Sequence, residues 1–204
     1  MRSIAFYTSL FFLALVLVAG GSARADEIDV QAANLRATDE GLVLNAEFSF
    51  QITPRLAEAV ENGVPLYFEL EFELSRPRWY WFDQETVAKR MQVRLSYHAL
   101  SRQYRLSTGL LQQSFGNLED ALNVLRRLRN WLVVDRTVSL ADTTYQAAVR
   151  MRLDTTLLPK PFQLSALTNS EWTLESAWKR FSFRPPQQPP APVESRQPTG
   201  APAQ

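Results

Sequence analysis

Few side chains of this 204-residue chain have the chemistry for catalysis. The chain has no cysteine, which excludes thiol catalysis and disulfides, and it has one histidine, His98. A serine triad needs a histidine base beside its nucleophile, and the chain contains no Gly-x-Ser-x-Gly sequence. No zinc ligands at short spacing accompany His98, and glycine-rich phosphate loops are missing. We therefore expect His98 to be an ordinary surface residue near the end of a strand. The sequence predicts a protein that is not an enzyme and holds no metal or cofactor.

A row of carboxylates is the one feature of the sequence that could still support catalysis. Glu69, Glu71 and Glu73 alternate with apolar residues and so lie on one face of a predicted strand. Two close carboxylates can hydrolyse a glycosidic bond, but the sequence identifies no cleft around this row. Because Arg90 and Arg94 show the same alternation on a later strand, we expect a solvated ladder of opposite charges. A hydrolase that uses other carboxylates stays an alternative.

The most unusual local feature is a run of four aromatic residues that follows an arginine. Side chains alternate between the two faces of a strand, so four successive aromatic residues cannot all face the core. One pair then faces a second layer, a partner or a ligand. We predict a binding surface for a polymer, a lipid headgroup or a protein at Arg78, Trp79, Tyr80, Trp81 and Phe82. The alternative is burial on both sides, or a β-bulge.

A second basic cluster lies at the end of a predicted helix. Apolar residues recur at helical spacing from about Asn117 to Asn130, and Arg126, Arg127 and Arg129 fall in the last turn. Cations are favoured at this end of the helix dipole. We interpret the three arginines as solvated partners of the dipole, with a small anion-binding patch as the alternative.

Alternating apolar and polar residues dominate the rest of the chain and predict strands with one buried face. The predicted strands are residues 42–51, 66–74, 87–99, Glu27–Arg36, Gln103–Thr108, Thr143–Asp154 and Glu171–Phe183. This pattern predicts a mainly all-β fold, an antiparallel β-sandwich with one or two short helices, for which an immunoglobulin-like topology is a candidate.

The alternation also predicts how two of these strands pair. An antiparallel register that sets Phe68 against Val93 also sets Leu70 against Met91, and it sets Glu71 against Arg90. Apolar side chains then meet on one face and opposite charges meet on the other. A slip by one residue would exchange the faces, so the register is strongly specified.

Prolines mark two further segments. Thr53 as N-cap, Pro54 in the first turn and Gly63 after the last turn predict a short helix. In Leu-Pro-Lys-Pro-Phe-Gln at 158–163, the two prolines favour an extended path. We therefore predict a rigid crossover or a sheet edge there.

The two ends of the chain differ in composition from the middle. Residues 1–25 have a basic start, an uncharged run from Ile4 to Ala19 and the small-x-small site Ala23-Arg24-Ala25, which predict a cleaved signal peptide and a periplasmic location. Residues 26–183 form one domain, without a later membrane span. From residue 184 to 204 the chain is proline-rich and predicted to be disordered. Losing Arg2 and Arg24 turns the net charge from +1 to −1, which offers no general attraction for nucleic acid.

Several sequence motifs resemble a proteobacterial family of secreted proteins that is catalogued as a domain of unknown function. They are Arg-x-Arg-Trp-Tyr-Trp-Phe-Asp at 76–83, Arg-x-Arg-Leu-Asp at 150–154, Leu-Pro-Lys-Pro-Phe-Gln at 158–163, and the tryptophans Trp172 and Trp178. The resemblance covers most of residues 27–182. It implies an exported protein with a proline-rich end, encoded near a membrane histidine kinase and a response regulator of nitrogen-regulation type. It carries over no catalytic residues.

The residues and the resemblance together favour an exported, periplasmic binding or interaction module. Its expected partner is an envelope protein, with the sensor kinase as the named candidate. Two alternatives stay open: a carrier or chaperone that shelters an apolar ligand or an unfolded chain, and the carboxylate hydrolase.

Overall fold

In this computed structural model, residues 28–76 and 84–186 are described. The described residues form nine strands and three α-helices. The strands are β1 (Asp29–Thr38), β2 (Gly41–Ser49), β3 (Leu66–Arg76), β4 (Gln84–His98), β5 (Gln103–Thr108), β6 (Leu111–Phe115), β7 (Arg127–Asp135), β8 (Tyr145–Leu153) and β9 (Lys179–Phe183). The helices are α1 (Pro54–Glu61), α2 (Leu118–Leu125) and α3 (Lys160–Thr168). The predicted signal peptide, the aromatic run and residues 187–204 of the tail lie outside the described residues.

The strands form two antiparallel sheets that enclose one core. One sheet has the order β1-β2-β7 and the other has the order β6-β5-β4-β3-β8-β9. The inward side chains of both sheets are buried, and the rings of Phe50 and Phe68 have their centroids 6.0 Å apart. The predicted all-β, antiparallel sandwich with short helices is confirmed, and the immunoglobulin-like topology stays a prediction.

The predicted pairing of β3 with β4 is confirmed residue by residue. Phe68 lies opposite Val93, Leu70 opposite Met91, and Glu71 opposite Arg90. The inward members of β3 are almost completely buried: Leu66, Phe68, Leu70, Phe72 and Leu74. Burying a side chain of this size stabilises the fold by about 1.5–3 kcal/mol, so the alternation of β3 determines its register.

Helix α1 begins and ends as predicted. The Thr53 side chain accepts a hydrogen bond from the backbone N–H of Leu56 at 3.2 Å, which satisfies one of the free donors at the start of the helix. Pro54 occupies the first turn, where no N–H is needed. Gly63 follows the helix with a φ of 85°, in the left-handed region that glycine adopts without strain.

The predicted helix from Asn117 to Asn130 was wrong in its second half. Helix α2 ends at Leu125, and β7 begins at Arg127 after a single residue. The apolar spacing of this segment fits a helix. In the structure, however, Leu128, Val133 and Val134 belong to a strand that pairs with β2, and their side chains are buried. Strand β6 was also missed, because four of its five residues are exposed and carry no inward pattern.

The interpretation of the three arginines changes with this strand. Arg126 caps α2, and its Nε and Nη2 atoms donate to the carbonyl oxygen of Phe50 at 3.0 and 2.8 Å. Arg127 and Arg129 belong to β7, and Arg129 forms an ion pair with Glu47 on the neighbouring strand. None of the three therefore lies in the last turn of the helix, where the dipole argument placed them.

Two predictions near the end of the chain also need correction. The proline segment at 158–163 is not an extended edge, because α3 begins at Lys160 with Pro159 as its N-cap residue. Proline fits the first turn of a helix, where backbone N–H groups have no intrahelical acceptor. The predicted strand Glu171–Phe183 is shortened to Lys179–Phe183. Its first residues form a 3-10 turn, Ser170–Trp172, which buries Trp172.

Candidate functional site

The predicted aromatic binding surface falls outside the described residues. Arg78, Trp79, Tyr80, Trp81 and Phe82 belong to the segment 77–83 that connects β3 to β4. Their role in binding stays a prediction. Three other regions within the described residues are candidates for a functional site.

The first region is the carboxylate row on the outer face of the six-stranded sheet. Glu71 was expected to be solvated, but only 4% of it is exposed. It lies on β3, in the centre of the sheet, with Arg90 of β4 on one side and Arg150 of β8 on the other. Long arginine side chains from both neighbours cover it, so the ladder of charges exists, but its centre is buried.

The arginines of β8 hold this carboxylate in place. Arg150 Nη2 lies 3.0 Å from each carboxylate oxygen of Glu71, and Arg152 Nε donates to Glu71 Oε1 at 2.8 Å. Arg152 also donates to Glu69. The guanidinium of Arg150 lies 4.6 Å from the ring centroid of Trp178, which orients it further.

The electrostatics of the cluster argue against acid catalysis. Burial by itself raises the pKa of Glu71, but the hydrogen bonds and charges of Arg150 and Arg152 outweigh burial and lower this pKa. The hydrogen bond to Glu71 in turn raises the pKa of Arg152. A carboxylate that stays ionised cannot donate a proton near neutral pH. We interpret the cluster as an electrostatic tie between β3 and β8.

His98 lies in a small polar arrangement with Ser101. Its Nδ1 atom is 2.9 Å from Ser101 Oγ and accepts the backbone N–H of Ser101 at 3.3 Å. A catalytic histidine needs a group that orients its second ring nitrogen. No described residue bonds that nitrogen, and both residues are at the surface turn between β4 and β5. The pair therefore stabilises the turn.

The second region is a groove between the two sheets, which the sequence did not predict. It has a volume of about 480 Å³, within the range of ligand pockets. Its apolar walls come from both sheets and from α2: Leu70, Met91, Val93, Leu106, Leu125, Leu128 and Trp131. It opens where β7, the edge of one sheet, passes β4 of the other. We refer to these residues and their surroundings as the inter-sheet groove.

The mouth of the inter-sheet groove carries apolar side chains in contact with water. Leu111 of β6 and Val124 of α2 line the groove and are 76% and 41% exposed. Leu110, the neighbour of Leu111 in the turn between β5 and β6, is fully exposed. The leucine pair after Gly109 was the available sequence signal. It could not be interpreted without knowing that β6 and β7 exist.

A hollow between α1 and α3 is the more polar alternative. It has a volume of about 390 Å³, and its lining includes Arg55, Glu58 and Asn169. The rings of Phe162 and Trp172 pack against each other at its wall, 5.0 Å between centroids. Among the described residues, no cluster of three or more histidine, aspartate or glutamate side chains is arranged to hold a metal ion.

Comparison with known protein families shows to which family this chain belongs. The family described as "Domain of unknown function (DUF4390)" matches residues 25–182. The chain belongs to this family. Within the described residues, the match spans the three helices and nearly all of both sheets, including the charged cluster and the inter-sheet groove.

The other comparisons and the helix lengths add two facts. No curated protein and no solved structure matches the chain. Of the helices in residues 28–76 and 84–186, none is long and apolar enough to span a membrane.

Proposed function

We propose that this protein is an exported binding module that holds an apolar segment of an envelope protein in the inter-sheet groove. One observation carries the proposal. The apolar lining of the groove includes the water-exposed side chains of Leu111 and Val124. Contiguous exposed apolar surface of this kind marks binding sites in soluble proteins.

The energetic argument follows from burial. Covering a side chain such as Leu111 removes apolar area from water and contributes about 1.5–3 kcal/mol if burial is complete. The groove also has a polar rim, formed by Arg127, Arg129 and Asn130 of β7. An apolar centre within a polar rim is the usual organisation of a protein interface.

Export and the partner belong to the same proposal. The uncharged run from Ile4 to Ala19 and the site at Ala23 to Ala25 support a periplasmic location. The family resemblance supports the outer part of an envelope sensor kinase as the first partner to test. Export is tested by intact-mass analysis of the protein purified from its host. We expect a chain that starts at Asp26. A chain that still carries Met1 would contradict cleavage.

A carrier of a single acyl chain is the second candidate, because the same groove volume suits a small apolar ligand. Glu69 and Glu71 give the carboxylate hydrolase no support, since both are bound by Arg152.

A titration separates the candidates. Trp131 lines the groove, so its indole N–H signal in an NMR spectrum should respond to a bound ligand. This signal is identified by its absence from the spectrum of the Trp131→Phe variant. The probes are a soluble peptide of alternating valine and glutamate, and decanoate. We expect the peptide to shift the Trp131 signal, and Leu111→Asp or Val124→Asp to weaken this binding by about tenfold, since each places a charge at the mouth.

The matched control is Leu167→Asp on α3, an exposed leucine outside the groove. Circular dichroism checks that all variants fold. Equal effects of Leu111→Asp and Leu167→Asp would contradict the proposal. A response to decanoate alone would favour the carrier.

A further inference from the structure

Strand β4 is longer than its partner β5. β3 pairs with β4 from Gln84 to Leu95, whereas β5 pairs only with Arg94–His98. Within the described part of the chain, residues 87–93 of β4 therefore have a hydrogen-bonded strand on one side only. A row of unpaired backbone N–H and C=O groups is a template for an additional strand.

The free stretch of β4 borders the inter-sheet groove. Met91 and Val93 both line the groove, and they lie opposite Leu70 and Phe68 on the inward face of the sheet. Side chains of neighbouring strands that are directly opposite each other point to the same face. The side chains of an added strand that lie beside Met91 and Val93 would therefore point into the groove, whereas Lys89, opposite Phe72, places a cation on the same inward face.

The other face of the free stretch presents a cation. Arg90 has 69% of its side chain exposed, and its Nε is 3.9 Å from the nearest oxygen of both Glu69 and Glu71. Both carboxylates accept hydrogen bonds from Arg152, so Arg90 is the outer member of the charged cluster. An acidic side chain on an added strand would pair with Arg90 across the sheet.

From this geometry, and on the basis of the proposed function, we propose that the partner segment binds by strand addition to residues 87–93 of β4. Its sequence alternates apolar and acidic residues. The apolar side chains fill the inter-sheet groove, and an acidic side chain pairs with Arg90. Backbone hydrogen bonds provide affinity, and the alternating side chains provide specificity. An acyl chain cannot use the free backbone groups, because it has no N–H or C=O groups along its length.

Three peptides of equal length test this inference on the exported protein, with binding followed by the Trp131 indole signal and by calorimetry. The first alternates valine and glutamate, the second alternates valine and lysine, and the third is the first with a central proline. Proline cannot donate a ladder hydrogen bond, so we expect the third peptide to bind about tenfold more weakly than the first. We expect Arg90→Glu to weaken the first peptide about threefold to tenfold and to strengthen the second.

Arg55→Glu is the matched control. Arg55 is also exposed and also loosely paired, with Glu171 at 3.7 Å, but it lies on α1. Equal binding of the proline peptide, or equal effects of Arg90→Glu and Arg55→Glu, overturns strand addition. If Leu111→Asp still weakens peptide binding by about tenfold in that case, the proposed function stands without this inference. If no peptide shifts the Trp131 signal, both proposals fail.

Discussion

Arg150 donates to both carboxylate oxygens of Glu71, each 3.0 Å from its Nη2 atom, across 79 residues of sequence. The two residues lie directly opposite each other on β8 and β3, in the middle of the six-stranded sheet. Glu71 is buried on a face that the alternation of β3 marks as polar. The ion pair therefore links two central strands at a point where water can screen it only in part.

Glu71→Gln should lower the free energy of unfolding by about 1–3 kcal/mol, because it leaves Arg150 and Arg152 without their central anion. Both arginines keep about a third of their side chains in water, 30% and 33%, which limits the cost. The measurement is urea unfolding followed by circular dichroism. Glu73→Gln is the control, since Glu73 is exposed on the same strand and face. Equal destabilisation by the two variants would show that burial of Glu71 is unimportant.

The pH dependence of stability should reveal the same carboxylate. The pKa of Glu71 is lower in the folded protein than in the unfolded chain, so its contribution is complete above the unfolded pKa and is lost as the pH falls. With an unfolded pKa near 4.3, we expect the loss below about pH 5. Unfolding free energies measured between neutral and acidic pH should fall less steeply for Glu71→Gln than for the wild type. Parallel curves would contradict this assignment.

Gly41→Ala should be among the most damaging small substitutions in the chain. Gly41 has a φ of 141°, and a Cβ atom there would lie 2.1 Å from the carbonyl oxygen of Val134 on β7. Strain and overlap together should cost about 3 kcal/mol or more. Gly63→Ala is the matched control, with a φ of 85° but open space around it, and should cost about 1–2 kcal/mol. Thermal unfolding compares the two. Similar melting temperatures would contradict the close approach of β2 to β7.

The aromatic run gives a prediction that is independent of the inter-sheet groove. If Trp79 to Phe82 form a binding surface, Trp79→Ala and Trp81→Ala should abolish recovery of an envelope partner in a pull-down experiment. The circular dichroism spectrum of the domain should stay unchanged. Loss of the folded spectrum in these variants would instead place the aromatic side chains in the core, where truncation costs about 3–5 kcal/mol.

Local patterns were sufficient for the parts of the fold that depend on near neighbours. The cap of α1 at Thr53 and Pro54 was predicted because an N-cap acts within one turn. The pairing of β3 with β4 was predicted because the two strands follow each other and only one register satisfies both faces. Strand β7 was missed because its pairing partner is β2, which is distant in sequence: Leu128 lies opposite Ala46.

The amino-acid sequence was enough to predict the fold class, the β3–β4 register and the family of this protein. Each of these depends on alternation or on motifs that can be read along one stretch of chain. The burial of Glu71, the strands β6 and β7, and the apolar groove between the sheets are visible only in three dimensions. The physical reason is that burial and cavity shape depend on which distant segments meet. Arg150 and Arg152 cover Glu71 from β8, and the wall formed by β7 faces β4 only after both sheets have assembled.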